Sequence, residues 1–82
     1  MDQPKLRIKI IADEAISFTA MFEPSGMPYA LDPGTHMYAD VSAFREEENE
    51  LEVVQWAGGI SICAPGAVTT YTAGGQKLHD LN

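Results

Sequence analysis

Lys5-Leu6-Arg7-Ile8-Lys9-Ile10 alternates basic and apolar residues without a break. Side chains along a strand point to opposite faces with a period of two. Leu6, Ile8 and Ile10 are therefore expected to face a core, and Lys5, Arg7 and Lys9 to face water. Ile11 interrupts the rhythm, which reads as a bulge or as burial on both sides. The rest of the chain repeats this logic. Short two-residue rhythms are separated by glycine and proline, and no segment carries a helical period.

Asp13-Glu14 is a polar break, after which Ile16, Phe18, Ala20 and Phe22 make a second alternating set. The two sets read as an amino-terminal hairpin or as neighbouring strands. Glu23-Pro24-Ser25-Gly26 is a turn, because proline presets φ near −65° and glycine accepts a positive φ. Tyr29 and Leu31 mark a short strand, and Asp32-Pro33-Gly34 is a turn of the same chemistry. From Thr35 to Phe44 two sets compete. Met37, Ala39, Val41 and Ala43 are uniformly apolar and are assigned to the core. His36, Tyr38, Asp40, Ser42 and Phe44 then form an aromatic and polar outer face.

Arg45-Glu46-Glu47-Glu48-Asn49-Glu50 reads as a solvated loop tip, too short to hold a helix of its own. Val53-Val54 implies burial from both sides or a bulge. Gly58-Gly59, between two β-forming runs, signals a tight I′ hairpin, in which both central residues need φ above zero. Ala64-Pro65-Gly66-Ala67 is a further turn, and Val68-Thr69-Thr70-Tyr71-Thr72 is rich in strand formers. Gly74-Gly75 ends that run, and the tail from Gln76 either adds a last strand or frays. About six to eight short strands, with turn signals every 8–12 residues or so, predict an all-β domain over residues 1–82. The expected architecture is a small antiparallel β-sandwich or barrel, with a jelly-roll or cupin-like arrangement among the forms that remove exposed edges.

The chain has 82 residues, twelve acidic against five basic, and a formal charge of −7. That surface repels nucleic-acid phosphates and anionic membranes, so neither is expected as a partner. No stretch approaches the roughly 20 apolar residues of a membrane-spanning helix, and no secretory leader is legible. Cys63 is the only cysteine. It lies between Ile62 and Ala64, reads as a small buried thiol, and suits a reducing, cytoplasmic setting. A domain this small has a thin stability margin, which makes a homodimer or another protein partner a reasonable expectation.

The stretch Phe22-Glu23-Pro24-Ser25-Gly26-Met27-Pro28-Tyr29-Ala30-Leu31-Asp32-Pro33-Gly34 resembles a group of small bacterial all-β proteins without assigned function. Their pattern is an E-P-x-G turn, a tyrosine, a leucine and a P-G turn, followed later by a glycine hairpin matching Trp56 to Ile62. The resemblance implies an all-β fold and no activity. A looser resemblance is to cupins, whose first motif runs from a P-G turn into H-x-H and a glutamate. Here Pro33-Gly34 leads to His36, with Tyr38 in place of the second histidine and Asp40 two residues further on. The second cupin motif has no counterpart, because no histidine follows Pro65-Gly66 until His79.

Candidate chemistry rests on two places. His36, Tyr38 and Asp40 share one strand face, as metal ligands, as an acid–base pair or as plain polar surface; a zinc site needs at least three protein ligands. Trp56 precedes the glycine hairpin, either as a core anchor or as an exposed contact residue for a partner, with Phe44 in the same ambiguous position. No nucleophile elbow, metal motif or phosphate loop is present, and no cofactor is implied. The preferred functional expectation is a non-catalytic binding or protein-interaction module. The alternatives are a degenerate cupin-like small-molecule or metal binder, and an acidic immunity or inhibitor protein.

Overall fold

The computed structural model describes residues 5–42 and 50–81. Phe44, with Ala43 and most of the acidic run after it, lies outside the described residues. The described residues form eight strands: β1 (Lys5–Ile11), β2 (Phe18–Glu23), β3 (Met27–Leu31), β4 (His36–Ser42), β5 (Glu52–Trp56), β6 (Gly59–Cys63), β7 (Ala67–Thr72) and β8 (Lys77–Leu81). They form two four-stranded sheets, in the orders β1-β4-β7-β8 and β3-β2-β6-β5. The protein is a small β-sandwich. No helix among the described residues is long and apolar enough to cross a membrane.

The apolar rhythm places the interior. From the first sheet come Ile10, Met37, Ala39, Val41, Val68 and Leu81; from the second come Ala20, Phe22, Leu31 and Ile62. Phe22 is fully buried and is the largest such side chain. Burying one phenylalanine stabilises the fold by about 1.5–3 kcal/mol. The apolar set Met37, Ala39 and Val41 faces inward as its pattern implies. The turns at Gly26 and Gly34 also form as read, with φ of +71° and +77°. Gly26 N donates to Phe22 O at 2.8 Å and Thr35 N to Asp32 O at 3.1 Å, closing both turns.

Thr70 is completely buried on β7. Its hydroxyl meets the Tyr29 hydroxyl of β3 at 2.8 Å and accepts from His79 N at 3.1 Å. Tyr29 Oη also lies 2.9 Å from His79 Nδ1. This cluster ties the two sheets together with hydrogen bonds where an unpaired hydroxyl would be costly.

Several expectations need correction. β1 and β2 are not paired: β1 joins β4 in one sheet, while β2 joins β3 and β6 in the other. The sheets are not wholly antiparallel, because β2 and β6 run parallel. The chain between them passes through β3, β4 and β5, which supplies the long crossover that a parallel pair requires. Leu6 and Ile16 are exposed, Leu6 at the start of an edge strand and Ile16 in the link before β2. The hairpin near Trp56 exists, but its two loop residues are Ala57 and Gly58, since Trp56 pairs with Gly59.

Neither glycine of that hairpin takes a positive φ. Gly59 is needed for a different reason. A Cβ there would come to 2.8 Å from Trp56 Cζ2 and 3.0 Å from the Thr19 carbonyl carbon. The missing side chain lets β2 and the indole close over the strand. Cys63 is exposed, not buried, because it falls on the outer face of β6. Val53 and Val54 are exposed too, because β5 is an edge strand with no burial along its length.

Candidate functional site

The predicted site residues fall on opposite sides of the sandwich. His36, Tyr38 and Asp40 lie together on the outer face of the first sheet. Trp56 lies on the outer face of the second.

On the first sheet, strand register sets Arg7 opposite Asp40, Tyr38 opposite Tyr71, and Thr69 opposite Asp80. Arg7 Nε donates to Asp40 Oδ1 at 2.7 Å and Nη2 to Oδ2 at 3.0 Å, a bidentate pair. The guanidinium carbon sits 5.0 Å from the Tyr38 ring centre and 5.4 Å from that of Tyr71, within cation–π range. His36 meets Tyr38 edge-on with ring centres 5.3 Å apart. Under this cover Asp40 is only 5% exposed, not part of an open polar strand face. The hydrogen bond and charge of Asp40 raise the Arg7 pKa above its ordinary value. At the far edge, hydrogen bonds from Lys77 and then from Thr69 hold the Asp80 carboxyl below its usual range.

This arrangement is built to hold strands together. Both Asp40 carboxylate oxygens accept from one arginine, so Asp40 is not poised as a general base for a bound molecule. Among the described residues no group of three or more His, Cys, Asp or Glu side chains is arranged to hold a metal ion. Sequence reasoning placed Asp40 correctly on this face but missed its partner. Arg7 shows the matching outward parity, yet nothing local says that β1 pairs with β4. The Tyr29–Thr70–His79 link was missed for the same reason.

The second sheet's outer face is different in kind. Register puts Thr19 and Met21 of β2, Pro28 and Ala30 of β3, Gly59, Ser61 and Cys63 of β6, and Glu52, Val54 and Trp56 of β5 on one side. Among the described strand residues on this side, the charged ones are Glu23 and Glu52. Trp56 is 40% exposed and Val54 54% exposed on this face, while Val53, pointing the other way, is 57% exposed. The indole lies against Gly59 and close to Gly58.

The fold and these two faces define a small β-sandwich with one internally cross-linked polar face and one open apolar face. No family model, curated protein or solved structure matches the chain.

Proposed function

We propose that this protein is a non-catalytic protein-interaction module whose working surface is β5 together with the outer face of the second sheet. One observation carries the reading. β5 is exposed along its whole length and supplies Val53, Val54 and Trp56, three of the large exposed hydrophobic residues among the described part of the chain. An apolar cluster anchored by a tryptophan, with its strand's one charge, Glu52, at the far end, is the composition of contact surfaces. Extended edge strands also recruit partners through their backbone. The polar face opposite offers less to a partner, because its charged groups are already engaged with one another. The exposed thiol of Cys63 supports a reducing compartment such as the cytoplasm as the working environment.

A photo-reactive amino acid placed at position 54, and separately at position 9 on the polar face, tests this in intact cells. Discrete adducts from position 54 and none from position 9 are expected. No adduct at 54, or equal adducts from both, overturns the assignment of the surface.

A further inference from the structure

We infer that the partner of β5 is a second copy of this chain, paired antiparallel about a twofold axis at Val54, so that two second sheets join into one. The inference rests on the reading of β5 as the working surface and adds the partner and the register.

Among the described residues the sandwich has four edge strands, β1, β8, β3 and β5. Edges recruit other strands unless something blocks them. β1 carries Arg7 and Lys9. β3 carries Pro28, which has no N–H to donate. The pairing of β8 is broken by a bulge at Thr70/Tyr71, and β8 carries the Lys77–Asp80 ion pair. β5, Glu52-Val53-Val54-Gln55-Trp56, has no proline, bulge or basic residue. Its single charge sits at one end. Three edges are defended and one is open.

The backbone decides which groups on that edge are free. Thr19 N donates to Gly58 O at 2.9 Å across the parallel pair. Alternation along β6 then turns Ile60 and Ile62 toward β2, and Gly59, Ser61 and Cys63 toward β5. Their partners Trp56, Val54 and Glu52 therefore spend their N–H and C=O groups on β6. Val53 and Gln55 direct theirs outward.

A second β5 bonds only through its own Val53 and Gln55, which limits the register. Centring the axis on Val54 sets Val53 against Gln55 of the second copy, exchanging both backbone bonds twice. It sets Val54 against Val54 and Glu52 against Trp56. All five residues are paired, and the two Glu52 carboxylates lie at opposite ends of the ribbon. A shift by two residues toward Glu52 leaves Trp56 past the paired segment, and a further such shift puts Glu52 against Glu52. The outward groups also permit Val53 against Val53 or Gln55 against Gln55, but only the register centred on Val54 pairs all five residues of β5. A twofold pairing of this kind closes on itself and leaves no further edge of the same type. One five-residue strand pair falls below the roughly 1,200 Å² of a standard interface, so the dimer is weak and concentration-dependent. Each chain carries −7, so salt should tighten the dimer by screening the repulsion between copies.

The test uses the full chain with Cys63→Ser, which removes the native thiol. Opposed residues in a non-hydrogen-bonded antiparallel pair have Cα atoms about 4.5 Å apart, within disulfide reach. Val54→Cys is expected to form a covalent dimer under mild oxidation, at least about tenfold faster than Val53→Cys, which faces Gln55 of the second copy. Gln55→Pro removes an outward N–H that β6 does not use; it should keep the far-ultraviolet circular dichroism and weaken sedimentation-detected dimerisation at least about tenfold. A monomer at every concentration to about millimolar, equal cross-linking at 53 and 54, or a dimer weakened by salt overturns the inference. The photo-reactive probe at position 54 separates the two claims. An adduct only with a different protein leaves the interaction surface standing and rejects self-pairing, whereas no adduct of any kind rejects both.

Discussion

The two outer faces of this sandwich are made from the same kind of strand and reach opposite solutions. On the first sheet, charges and aromatic rings from all four strands interlock: Arg7 with Asp40, Tyr38 and Tyr71, and Asp80 with Thr69 and Lys77. On the second sheet, small and apolar residues lie side by side, with no polar side-chain network across the strands among the described residues. The first face spends its side chains on its own cohesion. The second leaves Val54 and Trp56 open to water. Polarity alone therefore does not separate the two faces. What separates them is whether the groups on a face have satisfied one another.

The strongest way to erase this contrast is to remove the interior that both faces depend on. Phe22→Ala empties a fully buried site and should cost about 3–5 kcal/mol, measured by urea denaturation. That is a large fraction of the 5–15 kcal/mol typical of a whole domain. Gly59→Ala acts on the second sheet alone. Its new Cβ meets the Thr19 backbone, which cannot swing aside, so a loss of about 1–3 kcal/mol is expected together with a change in Trp56 fluorescence.

Tyr29→Phe tests the polar link between the sheets. It removes one partner of the buried Thr70 hydroxyl, which keeps its bond from His79 N, and should cost about 1 kcal/mol. Val54→Thr sharpens the comparison from the other side. If the apolar face is not there for stability, this isosteric change at an exposed edge shifts unfolding by less than about 0.5 kcal/mol. A larger loss would mean that the face belongs to the core.

The smallest expected effect is a pH dependence confined to the first face. The Asp80 pKa is lowered from 3.8 by Lys77 and Thr69. A lowered carboxylate pKa contributes stability that is whole above the ordinary value and is lost as pH falls through the lowered one. Asp80→Asn should therefore be less stable than the parent near neutrality, with the two curves converging in acid. A gap that persists unchanged below the lowered pKa would assign the role of Asp80 to something other than its charge.

Much of the fold was legible in the chain. Met37, Ala39 and Val41 announce a buried face by their spacing, and Gly26 and Gly34 announce their turns because glycine accepts the positive φ those turns need. The site was legible in part. His36, Tyr38 and Asp40 do share a face, because period two is a property of the strand itself. What could not be read was the burial of Asp40 beneath Arg7, or the exposure of Trp56 and Cys63. Each depends on which strand lies next door and on whether a sheet covers the side chain, and the sequence spacing of β5 and β6 is the same at a centre as at an edge.

The sequence by itself determined the class of structure, the positions of the turns and the alternation of inward and outward residues, since all three follow from local backbone geometry and side-chain solubility. Only the tertiary structure decided that β1 pairs with β4, that β2 and β6 run parallel, and that β5 ends a sheet with its valines and tryptophan open to water. Those choices are made by contacts between residues far apart in the chain, where many pairings bury similar apolar area and the three-dimensional fit selects one.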